Sequence, residues 1–488
     1  MLLIPVLLPL LGGLVLLFLR DEKVRRVFGM TIVLVSSVCA GAMCLSNPGG
    51  ITLLKVSPGL TVTLRPDGLG TFFVCLVAVI WPLALCFAYP YMAHAGGQAR
   101  FYGFFVGTQG VLFGLGMSAN LLTLYLFYEL MTLITLPLVI HDRSREALRA
   151  GMQYLGYSVF GAGLGLFGFF VLGQYGVSAG GAVAEFVPGG TLDMARVSGH
   201  ETLLIAVYLV MMIGFGCKAG LLPLQAWLTA AHPVAPAPAS AVLSGLITKG
   251  GVLAAIRVTY YLFGPAFLQG SFAQTVLLIL TLSTVFVGSM LALKEKVLKK
   301  RMAYSTVSQV SYVLFGVVLL TPGGLEGALL QVVFHALAKD LLFLGCGAFI
   351  FATGKTRVED FSDIGRRMPV TTALFLCGAL SLVGIPPFGG FVSKWGLAVS
   401  ALEAPVGVFS VIGPVVLLVS ALLTAGYLFP IGIGSFFPSK KAPVQERLNE
   451  PVLMLLPMGI LAAACLALGL FPAPIHALTG PVLGAIFG

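Results

Sequence analysis

Residues 216–227 read GCKAGLLPLQAW, and residues 383–397 read VGIPPFGGFVSKWGL. Each stretch lies inside an apolar run long enough to cross a bilayer, and each interrupts that run with proline or glycine beside a lysine. Such residues end regular helix and leave backbone groups unpaired, which lipid tolerates only where the break faces protein or a water-filled cavity. Two interrupted spans, one in each half of a chain, are the pattern of a transporter whose ion or substrate site lies near mid-membrane between inverted repeats. The correspondence is imperfect: Lys218 precedes its break, whereas Lys394 follows its own.

The rest of the chain agrees with this reading. Of 488 residues, 58% are apolar and 9% charged, against about 25% charged in soluble domains. A mean hydropathy of +1.02 over the whole length excludes a soluble enzyme with a single anchor, and with it disordered and disulfide-rich classes. A helix needs about 20 apolar residues to cross about 30 Å of hydrocarbon. Cutting the chain at charges and Gly/Pro breaks predicts fourteen spans, at 1–19, 27–46, 68–90, 101–118, 121–140, 151–173, 202–229, 241–262, 273–293, 302–320, 328–353, 370–402, 406–436 and 452–472. The expected fold is an all-α polytopic membrane protein of about 14 transmembrane helices. Residues 1–100 would hold helices one to three, 101–262 and 273–436 two inverted five-helix repeats with broken helices seven and twelve, and 437–488 the last helix and a short tail. The first run, MLLIPVLLPLLGG, carries its positive charges after the apolar stretch, so it is expected to stay as a span rather than leave as a signal.

The net charge of +10 is explained by topology. Of 28 basic residues, 20 fall in loops after odd-numbered segments and 3, namely Lys55, Arg65 and Arg196, in loops after even-numbered ones. Cytoplasmic loops hold the excess of Lys and Arg, which predicts both termini on the outer side. A nucleic-acid surface would need these charges clustered on one exposed face.

Five basic residues then remain inside proposed spans: Lys218, Lys249, Arg257, Lys339 and Lys394. Arg257 is placed to snorkel from a helix end. A charge at the bilayer centre costs about 2.5–3.5 kcal/mol on insertion scales, so four lysines represent on the order of 10 kcal/mol that packing does not explain. Among the acids, Glu129 and Asp340 lie within spans and Glu403 near an end. Lysine suits proton handling because burial disfavours its charged form and a nearby carboxylate restores it. A Glu/Lys pair that opens and closes is therefore a proton switch. The competing reading, that Glu129 merely neutralises one lysine, leaves three over.

His335 and Lys339 stand four apart in VFHALAKDLLFL, on one helix face, with Gln331 one turn earlier. Asp340 projects about 100° away from Lys339, toward a neighbouring helix, and serves either structural pairing or ion handling. His232, in TAAHPVAPAPAS, is either an accessory to the relay or a loop histidine in a proline-rich stretch. The polar run AYSTVSQVSY at 303–312 either holds water or joins helices.

Redox chemistry within this chain is not expected. Of six histidines, at 94, 141, 200, 232, 335 and 476, only His335 lies deep in a span, and the eight cysteines show no CxxC or cluster spacing. They read as small buried hydrophobes. No metal ligand set, dinucleotide fingerprint or phosphate-binding loop is present in the sequence.

Several long motifs, in order, resemble the antiporter-like membrane subunits shared by respiratory complex I, membrane-bound energy-converting hydrogenases and multi-subunit Mrp cation/proton antiporters. They are LYLFYELM around Glu129, GCKAGLLPLQAWLTAAHPVAPAPAS around Lys218, GLITKGG around Lys249, LKKRMAYSTVSQ at 298–309, HALAKDLLFLGCGAF from His335 and IPPFGGFVSKW ending at Lys394. The resemblance implies a hydrated axis of charged residues at mid-membrane. In it Glu129 and Lys218 look like the glutamate/lysine switch, Lys249 like the central relay, His335 and Lys339 like the bridge between halves, and Lys394 like the terminal lysine. Asp340 departs from the small residue expected there. Lysine at 394, where one complex I subunit has glutamate, favours the hydrogenase and Mrp branches, and LITLPLVIHDRSREALRAGMQYL at 133–155 looks most like hydrogenase-type subunits. The expected protein is a proton- or sodium-translocating subunit in the inner membrane of a prokaryote. It would hold no cofactor itself and would assemble with membrane subunits and with partners carrying iron–sulfur clusters and NiFe or quinone sites. The alternative is the principal subunit of an Mrp antiporter.

Overall fold

The computed structural model describes residues 2–46, 49–57, 59–93, 95–175, 184–436 and 446–488. His94, Lys440 and Lys441, three residues used above, lie outside the described residues, as does 176–183 of the connection after the sixth segment. The described chain is mostly helical, and ten of its helices are long and apolar enough to cross a membrane. The other four expected spans fall on helix as well. Ile4–Leu16 is shorter, Gln98–Gly116 and Leu298–Val318 are of spanning length but more polar, and the twelfth segment is divided into Pro369–Val383 and Gly389–Glu403.

Both expected breaks are present and are built alike. Helix Glu201–Ala219 ends on Gly220 at φ 87°, and helix Pro369–Val383 ends on Gly384 at φ 91°. That left-handed conformation is open to glycine at little cost. A few non-helical residues follow, containing Pro223 in one case and Pro386 and Pro387 in the other, before helix resumes at Ala226–Val234 and at Gly389–Glu403. Segment eight is continuous but irregular: Ala237–Val242 is α-helical, Leu243–Ile247 is a π-helical turn, Thr248–Ile256 is α-helical, and Arg257–Phe263 is again π-helical.

The core is organised around the longest helix, Pro322–Thr353, which is buried almost throughout. It packs against Leu298–Val318, both pieces of the broken helix at 369–403, Val452–Leu470 and the Ala237–Ile247 part of segment eight. The outer helices show the opposite pattern. Glu22–Ser46, Phe409–Gly432 and Val452–Leu470 expose rows of Leu, Val and Ile such as Val38, Leu418, Leu422 and Leu456, as a surface solvated by lipid would.

Three features differ from the sequence expectation. The loop at 47–67 contains an antiparallel hairpin, Ile51–Ser57 paired with Leu60–Leu64; its short β-branched alternation was lost among longer apolar runs. The tail after segment fourteen folds into a further helix, Ala473–Phe487, which packs on Gly68–Tyr91 and Pro322–Thr353. At 15 residues it is too short to count as a span. Arg257 does not snorkel: its side chain is 1% exposed and makes a two-pronged ion pair with Asp67, with Nη2–Oδ1 at 2.7 Å. The rings of Phe186 and Tyr261 flank the guanidinium at 4.9 and 4.6 Å.

Candidate functional site

Helix Leu121–Val139 starts on Asn120, whose side chain accepts the Thr123 N–H. This start fixes the phase that places Tyr128, Glu129 and Thr132 toward segment seven. Lys218, fully buried in the last turn of Glu201–Ala219, donates to the Thr132 hydroxyl. Its ammonium also lies over the rings of Tyr128, at 5.0 Å, and Tyr154, at 5.2 Å, an arrangement that stabilises a cation through the ring quadrupole. Glu129 is half-buried and makes no ion pair with Lys218. Glu129 and Thr132 are three residues apart on one helix face, so the hydroxyl occupies the place beside the amine that the sequence reading reserved for the carboxylate.

Two glycines bring segment eight close to its neighbours. A Cβ on Gly251 would lie 2.8 Å from both Ala219 N and Phe215 O, so this helix and the one bearing Lys218 approach backbone to backbone. Lys249, 1% exposed, reaches back along its helix to donate to Ser244 O at 2.7 Å, and its Nζ lies 2.5 Å from His335 Nδ1. A donating lysine requires Nδ1 to accept, which puts the ring hydrogen on Nε2. That atom has no partner among the described residues. The Ser244 hydroxyl in turn meets Thr306 at 2.7 Å.

The Pro322–Thr353 helix carries Gln331, His335 and Lys339 at four-residue spacing, all buried. Lys339 donates to Met302 O at 3.0 Å. Gln331 donates to Gln309 at 3.1 Å and accepts from Ser393 at 2.6 Å. Lys394, next to Ser393, caps the first half of its own broken helix by donating to Leu382 O at 2.5 Å and Val383 O at 3.2 Å, with Tyr312 beneath it at 4.9 Å.

The expected residues therefore fall into three stations. Lys218 stands with Thr132, Lys249 with His335, and Lys394 is linked through Ser393 and Gln331 to the helix bearing His335. No hydrogen bond among the described residues joins Lys218 to Lys249. His232 sits on helix Ala226–Val234 rather than in a loop. It is buried, stacked on Phe343 at 4.7 Å, and neither ring nitrogen has a partner among the described residues. Asp340 is also fully buried without a partner there. The polar run at 303–312 joins helices: Ser305 meets Tyr427, Ser308 meets Ser289 and Ser420, and Gln309 meets Gln331.

Sequence reasoning missed four participants. Thr132 was detectable as the polar residue one turn after Glu129, and Ser393 as the neighbour of Lys394. Lys299 was counted among loop charges, yet it is 7% exposed and donates to Ala235 O at 2.5 Å. Asp67 gave no signal, because its partner lies 190 residues away. Burial alone would raise the Asp67 carboxyl, but the charge and hydrogen bonds of Arg257 hold it below its ordinary value of 3.8.

A family model described as NADH:quinone oxidoreductase/Mrp antiporter, transmembrane, matches residues 118–424 and so contains all three stations. The chain belongs to this family of antiporter-like membrane subunits. It is 31% identical over 436 residues to NADH-quinone oxidoreductase subunit N of Desulforudis audaxviator (strain MP104C), covering 85% of this chain and 83% of that one. It is also 31% identical over 435 residues to Hydrogenase-4 component B of Escherichia coli (strain K12), covering 84% of this chain and 62% of that longer protein. In fold it matches a chain of the Mrp complex from Dietzia sp. DQ12-45-1b, with a TM-score of 0.82 at 21% identity, covering 100% of this chain and 97% of that one. The antiporter-like subunit is thus a multi-pass membrane protein whose curated relatives are named as parts of larger assemblies. Among its described residues no group of three His, Cys, Asp or Glu side chains stands together as a metal site.

Proposed function

We propose that this chain is the ion-translocating membrane subunit of a redox-driven complex of the complex I or membrane-bound hydrogenase kind. In this reading protons, or sodium ions in a variant of the same scheme, move through a relay of Glu129, Lys218, Lys249, His335, Lys339 and Lys394, with His232 and Asp340 as accessories. The observation that carries it is the 2.5 Å contact between Lys249 and His335. It joins the helix at the end of one half, 101–262, to the helix that threads the other, 273–436, so that two broken-helix stations share one buried line of exchangeable groups. Lys218 gives up its proton toward Lys249 when Glu129 withdraws, and takes it back when the carboxylate approaches. Lys249 hands on to His335, and Gln331 and Ser393 extend the path to Lys394. Electron transfer in partner subunits holding iron–sulfur clusters and NiFe or quinone sites would drive the cycle by repositioning charge.

The second reading is the principal subunit of an Mrp antiporter, driven by an existing gradient. It is favoured by length, since the chain spans only 62% of its hydrogenase relative. Purifying the assembled complex from native membranes and measuring iron separates the two. Iron that co-purifies in fixed proportion supports the redox-driven reading, and an iron-free set of small membrane subunits supports the antiporter. The setting is the inner membrane of a prokaryote with both termini outside. Cysteines introduced in the loop at 294–301 should be labelled only from the cytoplasm, and one near Gly488 only from outside.

A further inference from the structure

Asp340 is the buried ionisable group that the relay above leaves without a defined task. Its side chain is 0% exposed, and neither carboxylate oxygen has a hydrogen-bond partner among the described residues. Buried polar groups are otherwise almost always paired, so an unpartnered carboxylate in the middle of a polar track calls for an explanation. Its surroundings supply one. Asp340 leaves its own helix toward the π-helical turn Leu243–Ile247, where a Cβ on Gly245 would lie 1.6 Å from Oδ2 and 2.6 Å from Cγ. No other residue at 245 would let the carboxylate rest there.

The same turn holds the Lys249 ammonium. Helical side chains point back toward the N-terminus, and Lys249 follows this rule far enough to bond Ser244 O, five residues earlier and adjacent to Gly245. The amine, the Ser244 carbonyl and the Asp340 carboxylate therefore share one level of the helix. His335 approaches that level from the helix that also carries Asp340, so both candidate acceptors for Lys249 sit on one element, five residues apart. A π-helical turn inserted in an α-helix marks a place where one residue of register is accommodated locally, and such turns recur at functional sites.

We infer that Asp340 is the alternative acceptor for the Lys249 amine. Lys249 alternates between His335 Nδ1 and the Asp340 carboxylate, and Gly245 in the π-helical turn provides the room for that exchange. In the Asp340 position the proton passes from Lys249 Nζ to a carboxylate oxygen, leaving a neutral amine and a neutral carboxylic acid, with no other reactant. The halves of the relay then communicate through a gate at Lys249 with two seats, and occupation of the Asp340 seat disconnects Lys249 from His335. This inference rests on the relay proposed above.

The test is ion translocation by the assembled complex in vesicles, with infrared difference spectra of the energised against the resting state. Asp340→Asn keeps the shape and removes the proton acceptor; translocation should fall at least tenfold with assembly intact. The carbonyl band of a protonated carboxylic acid should appear in the wild-type difference spectrum and be missing in Asp340→Asn. Gly245→Ala should be costly beside Asp340 and add nothing in an Asp340→Ala background, because the collision is with the carboxylate. Asp340→Asn that pumps normally while Lys249→Met is inactive would overturn the inference and leave the relay standing. Normal pumping by both variants would overturn the relay itself, and the inference with it.

Discussion

The two broken helices use the same construction to hold a lysine in different ways. At the first, Lys218 belongs to the half-helix at whose end it sits, is fully buried, and rests on a hydroxyl between two tyrosine rings with Glu129 one turn away. At the second, Lys394 comes from the half-helix after the break and reaches back to the terminal carbonyls of the half-helix before it. Both ammonium groups thus lie at the C-terminal end of the first half-helix, where the unpaired carbonyls and the helix dipole favour a cation. The apparent mismatch in sequence, one lysine before its break and one after, disappears in space. What differs is the counter-group. The first station has a movable acid within a turn of its lysine, and the second has fixed backbone dipoles, so the first is built to switch and the second to hold and release.

The largest effects should separate these roles. Lys218→Met and Lys394→Met should each abolish ion translocation in an assembled complex, about a hundredfold or more, and full activity in either would remove that station. Glu129→Gln should likewise abolish coupled movement while leaving assembly intact. Unchanged pumping in vesicles carrying this variant would mean that Thr132, and not Glu129, is the counter-group that matters to Lys218.

A second contrast lies between the mobile lysines and Arg257, whose guanidinium is fixed by Asp67. Removing one member of a buried pair costs about 3–5 kcal/mol, so Asp67→Asn should lower thermal stability clearly at neutral pH and lower activity only as assembly is lost. The pH dependence has a definite sign. The folded carboxyl is held below its ordinary value of 3.8, so the pair stabilises fully above that value and is lost as pH falls through the folded value. The stability gap between wild type and Asp67→Asn should therefore be constant near neutrality and shrink only in strong acid; a gap that narrows between pH 7 and 5 would assign the stabilisation to another group. Arg257→Lys, which keeps the charge but not the two-pronged geometry, should be intermediate in unfolding temperature.

The smallest effect is expected at the rings. Tyr312→Phe keeps the aromatic face under Lys394 and removes a hydroxyl that donates to Leu417 O at 2.7 Å. A loss of about 1 kcal/mol in stability with near-normal pumping is expected; a dead variant would give the hydroxyl a part in the relay.

How much of this was legible in the sequence depended on the range of the interaction. The breaks, the buried lysines and the Gln331–His335–Lys339 face could be read because each is set within a few residues by glycine, proline or helical periodicity. Lys249 and His335 could be named as relay members, but their contact could not, because it joins residues 86 apart. Arg257 was misread for the same reason: its partner, Asp67, sits just before a helix and looks like an ordinary cap. Lys299 was misread because position at a helix start suggests exposure, whereas the proline-rich stretch ending at Ala235 folds over it. The hairpin and the helix Ala473–Phe487 were missed because a search tuned to spans of bilayer length passes over shorter elements.

The central claim is that Lys249 passes a proton between the halves, and one comparison tests it most directly. Arginine stays protonated under all accessible conditions, so Lys249→Arg keeps the charge and removes the transfer, while Lys249→Met removes both. Ion translocation by reconstituted complex, with assembly checked separately, should be lost in both variants. An active Lys249→Arg beside an inactive Lys249→Met would show that a fixed positive charge is all the site requires, and would contradict the relay.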